Sequence, residues 1–311
     1  MDIPPITVPP CAPLHPLDAP SNEIIYTLFL FTKSDFKTIM FPVTAFAMSL
    51  AENTSWNRLP AVAMWVWFGL LEFNTSNQTF GTSPDEDALN KPWRPIPAKR
   101  ITLEAAKTLR LAMVPFNIFI ASVFSTLPAT IGFEAFTALH NDIGGSHHWL
   151  TKNGCTSALY GFVEFGATLV ADDRGSLSQN QLCAILTSVL IVFTTIQAQD
   201  FCDVEGDIDS NRSTFPIVWP EVSRLSMLFL PVFWSLLISI FSNAHIAILA
   251  SLLSSAIWIS CRFYFMRSVP ADKESYLYYN IWLCLAHLSL GFVNVDAGLA
   301  KLPTSIAHFA L

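Results

Sequence analysis

The chain has 311 residues, of which 52% are hydrophobic and only 13% are charged, and its formal net charge is −7. A soluble domain carries about a quarter charged residues, so this composition indicates a membrane protein with the lipid bilayer as its surroundings. We find no basic stripe with interleaved aromatic residues, which argues against nucleic-acid binding.

Residues 1–22 are rich in proline and predict an irregular N-terminal arm. Beyond it, apolar stretches recur between short polar gaps, and several approach the ~20 residues that a helix needs to cross a bilayer. We predict an all-α, polytopic transmembrane bundle of about nine helices, forming a single domain over 23–311. The predicted spans are 37–52, 58–74, 103–125, 127–141, 154–171, 180–199, 224–242, 245–265 and 276–297.

The distribution of basic residues tests this count, because cytosolic loops carry an excess of Lys and Arg. With nine spans, the N-terminal arm and the even-numbered loops share one side, which holds thirteen of the 17 basic residues. The other side holds only Arg58, Arg174 and Lys301, and Arg110 lies within the third span. We therefore expect a multi-pass protein of the endoplasmic reticulum, with a cytosolic N-terminus and a lumenal Leu311.

The first polar segment, residues 71–102, follows the second predicted span. Asn74 and Asn77 supply neutral oxygen atoms at the helix end, and three acids follow at 85–87 in a predicted loop. Amide and carboxylate oxygens can bind magnesium or its waters, while Lys and Arg neutralise phosphate charge. Polar loops are common, so this segment alone is a weak signal. The candidate metal ligands are Asn74, Asn77, Glu86 and Asp87, and the candidate phosphate-binding residues are Lys91 and Arg94.

The second polar segment, residues 199–216, begins at the end of the sixth predicted span. Asp200, Asp203 and Asp207 are spaced i, i+3 and i+7, so a helix would carry the three carboxylates on one face. Like charges near a membrane are costly unless they are neutralised, and magnesium binds carboxylate oxygens while keeping waters and phosphate oxygens. We therefore predict a catalytic Mg²⁺ site at these aspartates, with Arg212 in reach of a bound phosphate. The alternative is a solvated acidic helix end.

Both segments lie on the same side of the membrane in the predicted topology, and together they resemble the UbiA superfamily of membrane prenyltransferases. In that family, two acidic motifs at cytosolic helix ends hold a polyprenyl diphosphate through magnesium, in a bundle of about nine helices. The segment 90–97 resembles the family's RPxP segment, and Lys152 resembles a basic residue that contacts diphosphate. The family's second motif, DxxDxxGD followed by a basic residue and Ser/Thr, is matched by Asp200, Asp203, Gly206, Asp207, Arg212, Ser213 and Thr214.

The first motif departs from the family pattern. Its usual form is NDxxDxxxD, whereas the corresponding residues 74–78 read Asn-Thr-Ser-Asn-Gln, and acids follow only at 85–87. An intact motif is typical of members that prenylate aromatic acceptors. The loosened motif, joined to the segment 90–97, is similar to that of the fungal branch of the superfamily, whose members cyclise farnesyl diphosphate.

The resemblance implies an enzyme that ionises an isoprenoid diphosphate. Mg²⁺ and basic residues would stabilise the departing diphosphate, and an allylic cation would form in a dry cavity lined by aromatic residues. Our leading interpretation is a cyclase that folds the cation of farnesyl diphosphate back onto its own chain. The alternatives are a prenyltransferase with an aromatic acceptor and, from another class, a polytopic transporter, which predicts inverted repeats that we do not find.

Three glutamates, Glu72, Glu134 and Glu164, lie within predicted spans, where an ionisable side chain is a functional candidate by default. For Glu164 two interpretations stay open: it deprotonates a terminal carbocation, or it is a buried, protonated and hydrogen-bonded structural residue. We interpret His147 and His148 as an exposed loop pair and not as a zinc site, because no third ligand lies at a convincing spacing.

Overall fold

The computed structural model of the chain describes residues 21–53, 55–173 and 175–294, without the side chains of residues 21, 22, 89 and 90. Residues 1–20 of the predicted arm and the end of the ninth predicted span lie outside the described residues. The same is true of three positions that the predicted topology uses, Arg174, Lys301 and Leu311.

The described part of the chain is almost entirely helical, which confirms the predicted all-α class. The α-helices are α1 (Ser21–Thr32), α2 (Phe41–Leu50), α3 (Leu59–Thr79), α4 (Ser83–Asn90), α5 (Leu103–Val123), α6 (Leu127–Asn141), α7 (Trp149–Asp172), α8 (Gln179–Thr195), α9 (Val204–Asp209), α10 (Phe215–Val218), α11 (Pro220–Phe241), α12 (Ile246–Phe265) and α13 (Val269–Leu290). A π-helical turn, Phe36–Met40, precedes α2, and a 3₁₀ turn, Ile196–Gln199, follows α8.

Each of the nine predicted spans coincides with one of these helices: α2 with its π-helical turn, α3, α5, α6, α7, α8, α11, α12 and α13. Among the described helices, four are long and apolar enough to cross a membrane, namely α5, α8 with its 3₁₀ turn, α11 and α12. All four carry large exposed apolar side chains, such as Phe119, Leu186, Phe229 and Trp258, which suit contact with lipid. The fold is therefore a polytopic transmembrane helix bundle.

Helix α3 continues beyond the predicted span because its polar last turns are satisfied inside the bundle. Thr75 donates to the carbonyl of Leu71, and Thr79 donates to the carbonyl of Thr75 at 2.8 Å. Gln78 Nε2 donates to the carbonyl oxygen of Phe31 in α1 at 3.0 Å. Such local bonds let hydroxyl side chains stay in a helix, so a stretch that resembles a loop in sequence remains helical and buried.

Helix α13 begins earlier than predicted, and its first turns contain a buried charge. Asp272 accepts from Nη1 and Nη2 of Arg224 in α11 at 2.6 and 2.8 Å. Buried charges are tolerated when they are paired and hydrogen-bonded. The charged residues before position 276, which are typical of a loop in sequence, can therefore form the first turns of α13.

Close packing of α3 against α7 brings the two polar helix ends of the site together. Trp65 of α3 covers Gly166 of α7, and an ideal Cβ at Gly166 would lie 2.1 Å from the Trp65 ring. Helix α2, which contains the first predicted span, packs on both α7 and α13, so the last described helix contacts the first span. The end of α3 and the start of α7 consequently meet at one end of the bundle.

Candidate active site

A cavity of about 460 Å³ opens at the end of the bundle where α3 ends and α7 begins. Side chains from α3, α4, α6, α7, α9 and α13 form its wall, together with the turns before α2 and after α8. The structure brings both polar segments and Lys152 to this cavity, while the roles assigned to their residues stay predictions. All eleven site residues predicted from the sequence line it: Asn74, Asn77, Glu86, Asp87, Lys91, Arg94, Lys152, Asp200, Asp203, Asp207 and Arg212.

The three aspartates of the second segment do not lie on a continuous helix, so that prediction was wrong. Helix α8 gives way to its 3₁₀ turn, and α9 begins only at Val204. The backbone N–H of Asp203 donates to the carbonyl of Asp200 at 3.2 Å, and that of Asp207 donates to the carbonyl of Asp203 at 2.8 Å. Repulsion among the carboxylates favours this break, since like charges one helical turn apart destabilise a helix. The aspartates nevertheless line the same cavity, because each lies about one turn after the last.

Lys152, in the first turn of α7, neutralises the buried Asp200. Its Nζ lies 2.6 Å from Oδ1 of Asp200 and 4.0 Å from Oδ2 of Asp207. Burial raises the pKa of Asp200 to about 6, and the positive charge of Lys152 acts against this rise. Oδ2 of Asp200 and Oδ2 of Asp207 are buried without a hydrogen-bond partner among the described residues. Both oxygen atoms are therefore available to a further cation.

The acidic part of the first segment is helical, whereas the sequence predicted a loop. Pro84 lies in the first turn of α4, followed by Asp85 and Glu86, and proline and acids both favour a helix start. The helix places Glu86 and Asp87 at the cavity, and Asp85 is not among the described residues that line it. Asp87 is buried with Arg94, whose Nη1 donates to both carboxylate oxygens at 2.7 and 2.8 Å.

Arg212 connects the two acidic segments. Its Nη2 lies 3.1 Å from Oε2 of Glu86 in α4, and its Nη1 lies 3.3 Å from Oδ1 of Asp207 in α9. Arg212 and Glu86 are 126 residues apart in sequence, so this contact depends entirely on the fold. A planar guanidinium suits the role because its N–H donors can serve two oxygen-bearing groups at once.

The predicted loop pair, His147 and His148, is exposed as expected and orders the backbone around Arg212. The N–H of Ser213 donates to the carbonyl of His147 at 2.7 Å, and the N–H of Trp149 donates to the carbonyl of Ser213 at 2.8 Å. His148 is the N-cap residue of α7. The segment that carries Arg212 is thereby held against the start of α7.

Asn74 and Asn77 line the cavity, and the amide nitrogens of both side chains are hydrogen-bonded within the bundle. Asn74 Nδ2 donates to the carbonyl of Leu70 at 3.0 Å, and Asn77 Nδ2 donates to Oδ1 of Asn141 in α6 at 3.2 Å. Asn141 in turn donates to Oγ of Ser76 at 3.0 Å. Asn141, which the sequence did not single out for the site, therefore positions Asn77.

Beyond the charged rim, the wall of the cavity becomes apolar and aromatic. Val163 lies eleven residues after Lys152 on α7, which is about 16 Å along the helix axis at 1.5 Å per residue. A cavity with a charged mouth and an apolar interior fits an amphipathic ligand with an anionic head and a hydrocarbon chain. The apolar and aromatic residues of the wall are Ile39, Leu70, Phe73, Phe133, Leu159, Tyr160, Val163, Ile196 and Tyr276.

Several lining residues were missed by the sequence prediction. Asp35 and Lys37 come from the turns before α2, and Nζ of Lys37 lies 5.2 Å over the ring of Tyr276. His140 of α6 also lines the cavity and contacts Oδ1 of Asn141 through its Nδ1 at 2.9 Å. An ionisable residue in an apolar span is a signal for His140. No comparable signal identifies Asp35, which precedes the first predicted span.

The lining has one more acidic than basic side chain, since six carboxylates face five Lys or Arg residues. Lys91 illustrates the balance: burial lowers its pKa, the charge of Arg94 lowers it further, and the carboxylates of Asp203 and Asp87 oppose the shift. A multiply charged anion therefore needs added cations to bind here. The six acids are Asp35, Glu86, Asp87, Asp200, Asp203 and Asp207, and the five bases are Lys37, Lys91, Arg94, Lys152 and Arg212.

Magnesium fits this donor set. Within the described ranges, no three His, Cys, Asp or Glu side chains converge to hold an ion by themselves, because Asp200 and Asp207 face Lys152 and Arg212. However, magnesium is usually bound by one or two carboxylates together with substrate phosphates and water. The unpartnered oxygens of Asp200 and Asp207 meet that lesser requirement.

The glutamates of the predicted spans are not among the described residues that line the cavity. Glu164 accepts a hydrogen bond from Oγ of Ser188 at 2.6 Å and lies 3.1 Å from Nε2 of His287, and all three side chains are fully buried. This contact set joins α7, α8 and α13. The geometry therefore favours the structural interpretation of Glu164 over a role as proton acceptor.

Known proteins share this architecture. The chain is 31% identical over 266 residues to a fumagillin beta-trans-bergamotene synthase of Aspergillus fumigatus, covering 84% of this chain and 90% of that protein. It is 28% identical over 225 residues to a polyprenyl transferase, eriF, of Hericium erinaceus, covering 69% and 76%. The structure of a UbiA homolog from Archaeoglobus fulgidus bound to GPP and Mg²⁺ has the same fold, with a TM-score of 0.61 at 12% identity over 86% of this chain and 98% of that one. Residues 39–284 match the sequence model of the UbiA prenyltransferase family, and the chain therefore belongs to that family.

Proposed function

We propose that this protein is a membrane-bound, Mg²⁺-dependent terpene cyclase that converts farnesyl diphosphate to a cyclic sesquiterpene. One observation carries the proposal: a single cavity joins a rim of predicted metal- and diphosphate-binding residues to an apolar, aromatic interior. The similarity to a bergamotene synthase and the loosened first motif at 74–78 support a cyclase. The proposed setting is the endoplasmic reticulum, with the cavity facing the cytosol and residues 23–311 forming one catalytic domain.

In the proposed reaction, the diphosphate binds at the rim and the farnesyl chain lies in the apolar part of the cavity. Lys152, Arg212, Arg94 and Lys91 stabilise the negative charge that grows on the leaving group as the carbon–oxygen bond breaks. Mg²⁺, when bound, supplies further Lewis-acid stabilisation of that leaving group. The residues that would hold Mg²⁺ come from both polar segments: Asp200, Asp203 and Asp207 from the second, and Asn74, Asn77, Glu86 and Asp87 from the first.

The interior of the cavity controls what happens to the allylic cation. Leu70, Leu159 and Val163 present hydrocarbon surface, which keeps water from capturing the cation. The aromatic rings of Phe73 and Tyr160 can stabilise positive charge through their faces. Tyr160 is held in place because its hydroxyl donates to the carbonyl of Thr38. The cation would then cyclise on its own double bonds and lose a proton to the released diphosphate, which is the base that the reaction itself supplies.

The second candidate is a prenyltransferase, which the similarity to a polyprenyl transferase favours. Incubating membranes that contain the protein with farnesyl diphosphate and Mg²⁺, without any acceptor, separates the two. We expect a cyclic hydrocarbon and inorganic diphosphate, and membranes with Asp200→Ala serve as the control. Product that forms only after an aromatic acceptor is added would reject the cyclase in favour of the transferase. A transporter would release no diphosphate under either condition.

A further inference from the structure

A second, smaller cavity of about 20 Å³ lies beside the main one, between α3, α5 and α6. Phe133 of α6 and Val163 of α7 line both cavities. These two side chains therefore form the partition between them. Phe68 and Gly69 of α3 line the smaller cavity and are not among the described residues of the main one.

The partition is thin at Phe133. Its ring is packed on a glycine, since an ideal Cβ at Gly69 would lie 3.8 Å from Cε1 and Cζ of Phe133. Phe133 and Val163 are only 6% and 5% exposed, so both side chains are packed inside the bundle. Without the phenyl ring, the space above Gly69 would connect the two cavities.

The partition lies far from the charged rim. Phe133 precedes His140 by seven residues on α6, which is about 10 Å along the axis, and Val163 follows Lys152 by about 16 Å on α7. A prenyl chain with its diphosphate at the rim therefore has its terminal isoprene unit nearest the partition. Any additional isoprene unit must be accommodated at that end.

We propose that Phe133 limits the length of the prenyl chain, and that the space filled by its ring, together with the smaller cavity beside it, is where one additional isoprene unit would lie. The inference rests on the proposed function, because it takes the diphosphate to bind at the rim. A longer chain meets a wall of packed side chains, and overfilling a packed interior is unfavourable. One methylene group in a hydrophobic pocket already changes specificity by roughly 10- to 200-fold, so a whole isoprene unit should be strongly discriminated.

The test compares kcat/KM for geranylgeranyl diphosphate with that for farnesyl diphosphate in purified protein. We expect the wild type to favour farnesyl diphosphate and Phe133→Ala to raise the ratio by roughly tenfold or more. Phe68→Ala is the matched control, because it removes the same ring from the smaller cavity and leaves the partition intact. The ratio should stay at the wild-type value in that control.

Refilling the opened space gives a second test. In the double variant Phe133→Ala/Gly69→Leu, the new side chain should occupy the space that the Phe133 ring leaves, because a Cβ at Gly69 faces that ring, and it should return the ratio toward the wild-type value. If Phe133→Ala does not accumulate in membranes, the smaller change Val163→Ala decides, with a raised ratio expected.

An unchanged ratio in the Phe133 or Val163 variant, or an equal rise in Phe68→Ala, would overturn the inference while leaving the proposed function intact. A wild-type protein that turns over neither diphosphate would instead reject the proposed function and this inference with it.

Discussion

Arg212→Ala tests whether the two acidic segments act as one diphosphate site. Among the described residues, Arg212 is the one basic side chain in ion-pair contact with both, at 3.1 Å from Glu86 and 3.3 Å from Asp207. Its removal leaves two carboxylates facing each other across the rim without the cation between them. The variant should therefore weaken both the binding of the diphosphate and its departure.

The expected size of the effect follows from the exposure of the contacts. Hydrogen bonds to charged groups contribute about 1.5–3 kcal/mol, and the Arg212 and Glu86 side chains are 28% and 27% exposed, which reduces the upper value through solvent screening. A loss of about 2 kcal/mol of transition-state stabilisation corresponds to roughly 30-fold in kcat/KM. Arg212→Lys keeps the charge but not the planar fork, so it should recover only part of that loss.

Steady-state turnover of farnesyl diphosphate, followed as released diphosphate, measures the effect. Arg267→Ala is the control, because Arg267 also pairs with a carboxylate, Glu221, at 2.7 Å but is not among the described residues of the cavity. We expect kcat to fall and KM to rise in Arg212→Ala, with little change in the control. If kcat and KM of Arg212→Ala both stay within about twofold of wild type, Arg212 only anchors its loop and the reasoning fails.

The remaining predictions concern the metal, the lysine and the topology. Asp200→Ala or Asp203→Ala should abolish turnover while the protein stays in the membrane, and EDTA should do the same to the wild type; full activity in any of these cases would refute the Mg²⁺ site. Lys152→Arg should be milder than Arg212→Lys in kcat/KM, because an ammonium group acts as a point charge without fixed geometry; the reverse order would contradict this. A reporter fused after Leu311 should be lumenal, and a cytosolic reporter would overturn the count of nine spans.

The fold could be predicted from the sequence to the extent that apolar stretches determine it. The nine spans were located because helices in lipid need long apolar runs. The predicted helix ends were wrong where polar side chains find partners inside the bundle. In the last turns of α3, Thr75 and Thr79 donate to carbonyl groups of their own helix. At the start of α13, Asp272 pairs with Arg224. These partners are visible only once the helices are packed.

Which residues form the site could also be predicted in part, because acids and bases at alternate helix ends must share one side of the membrane. Which of these residues pair with one another could not be predicted. Arg94 was expected to bind diphosphate, but in the structure it is paired with Asp87 over a separation of seven residues. Pro84 in the first turn of α4, by contrast, is a recognisable signal of a helix start that the predicted loop overlooked.

The pairing inside the cavity links metal binding to diphosphate binding. Lys152 is already paired with Asp200, and Arg212 with Asp207 and Glu86, so a diphosphate that recruits these bases deprives the carboxylates of their counter-charges. A divalent cation restores that balance, and it brings phosphate oxygens as additional ligands. By thermodynamic reciprocity, each ligand must raise the affinity of the other by the same factor. Titrating Mg²⁺ with and without inorganic diphosphate measures this factor, and equal Mg²⁺ affinities would mean that the carboxylates and the bases do not form one site.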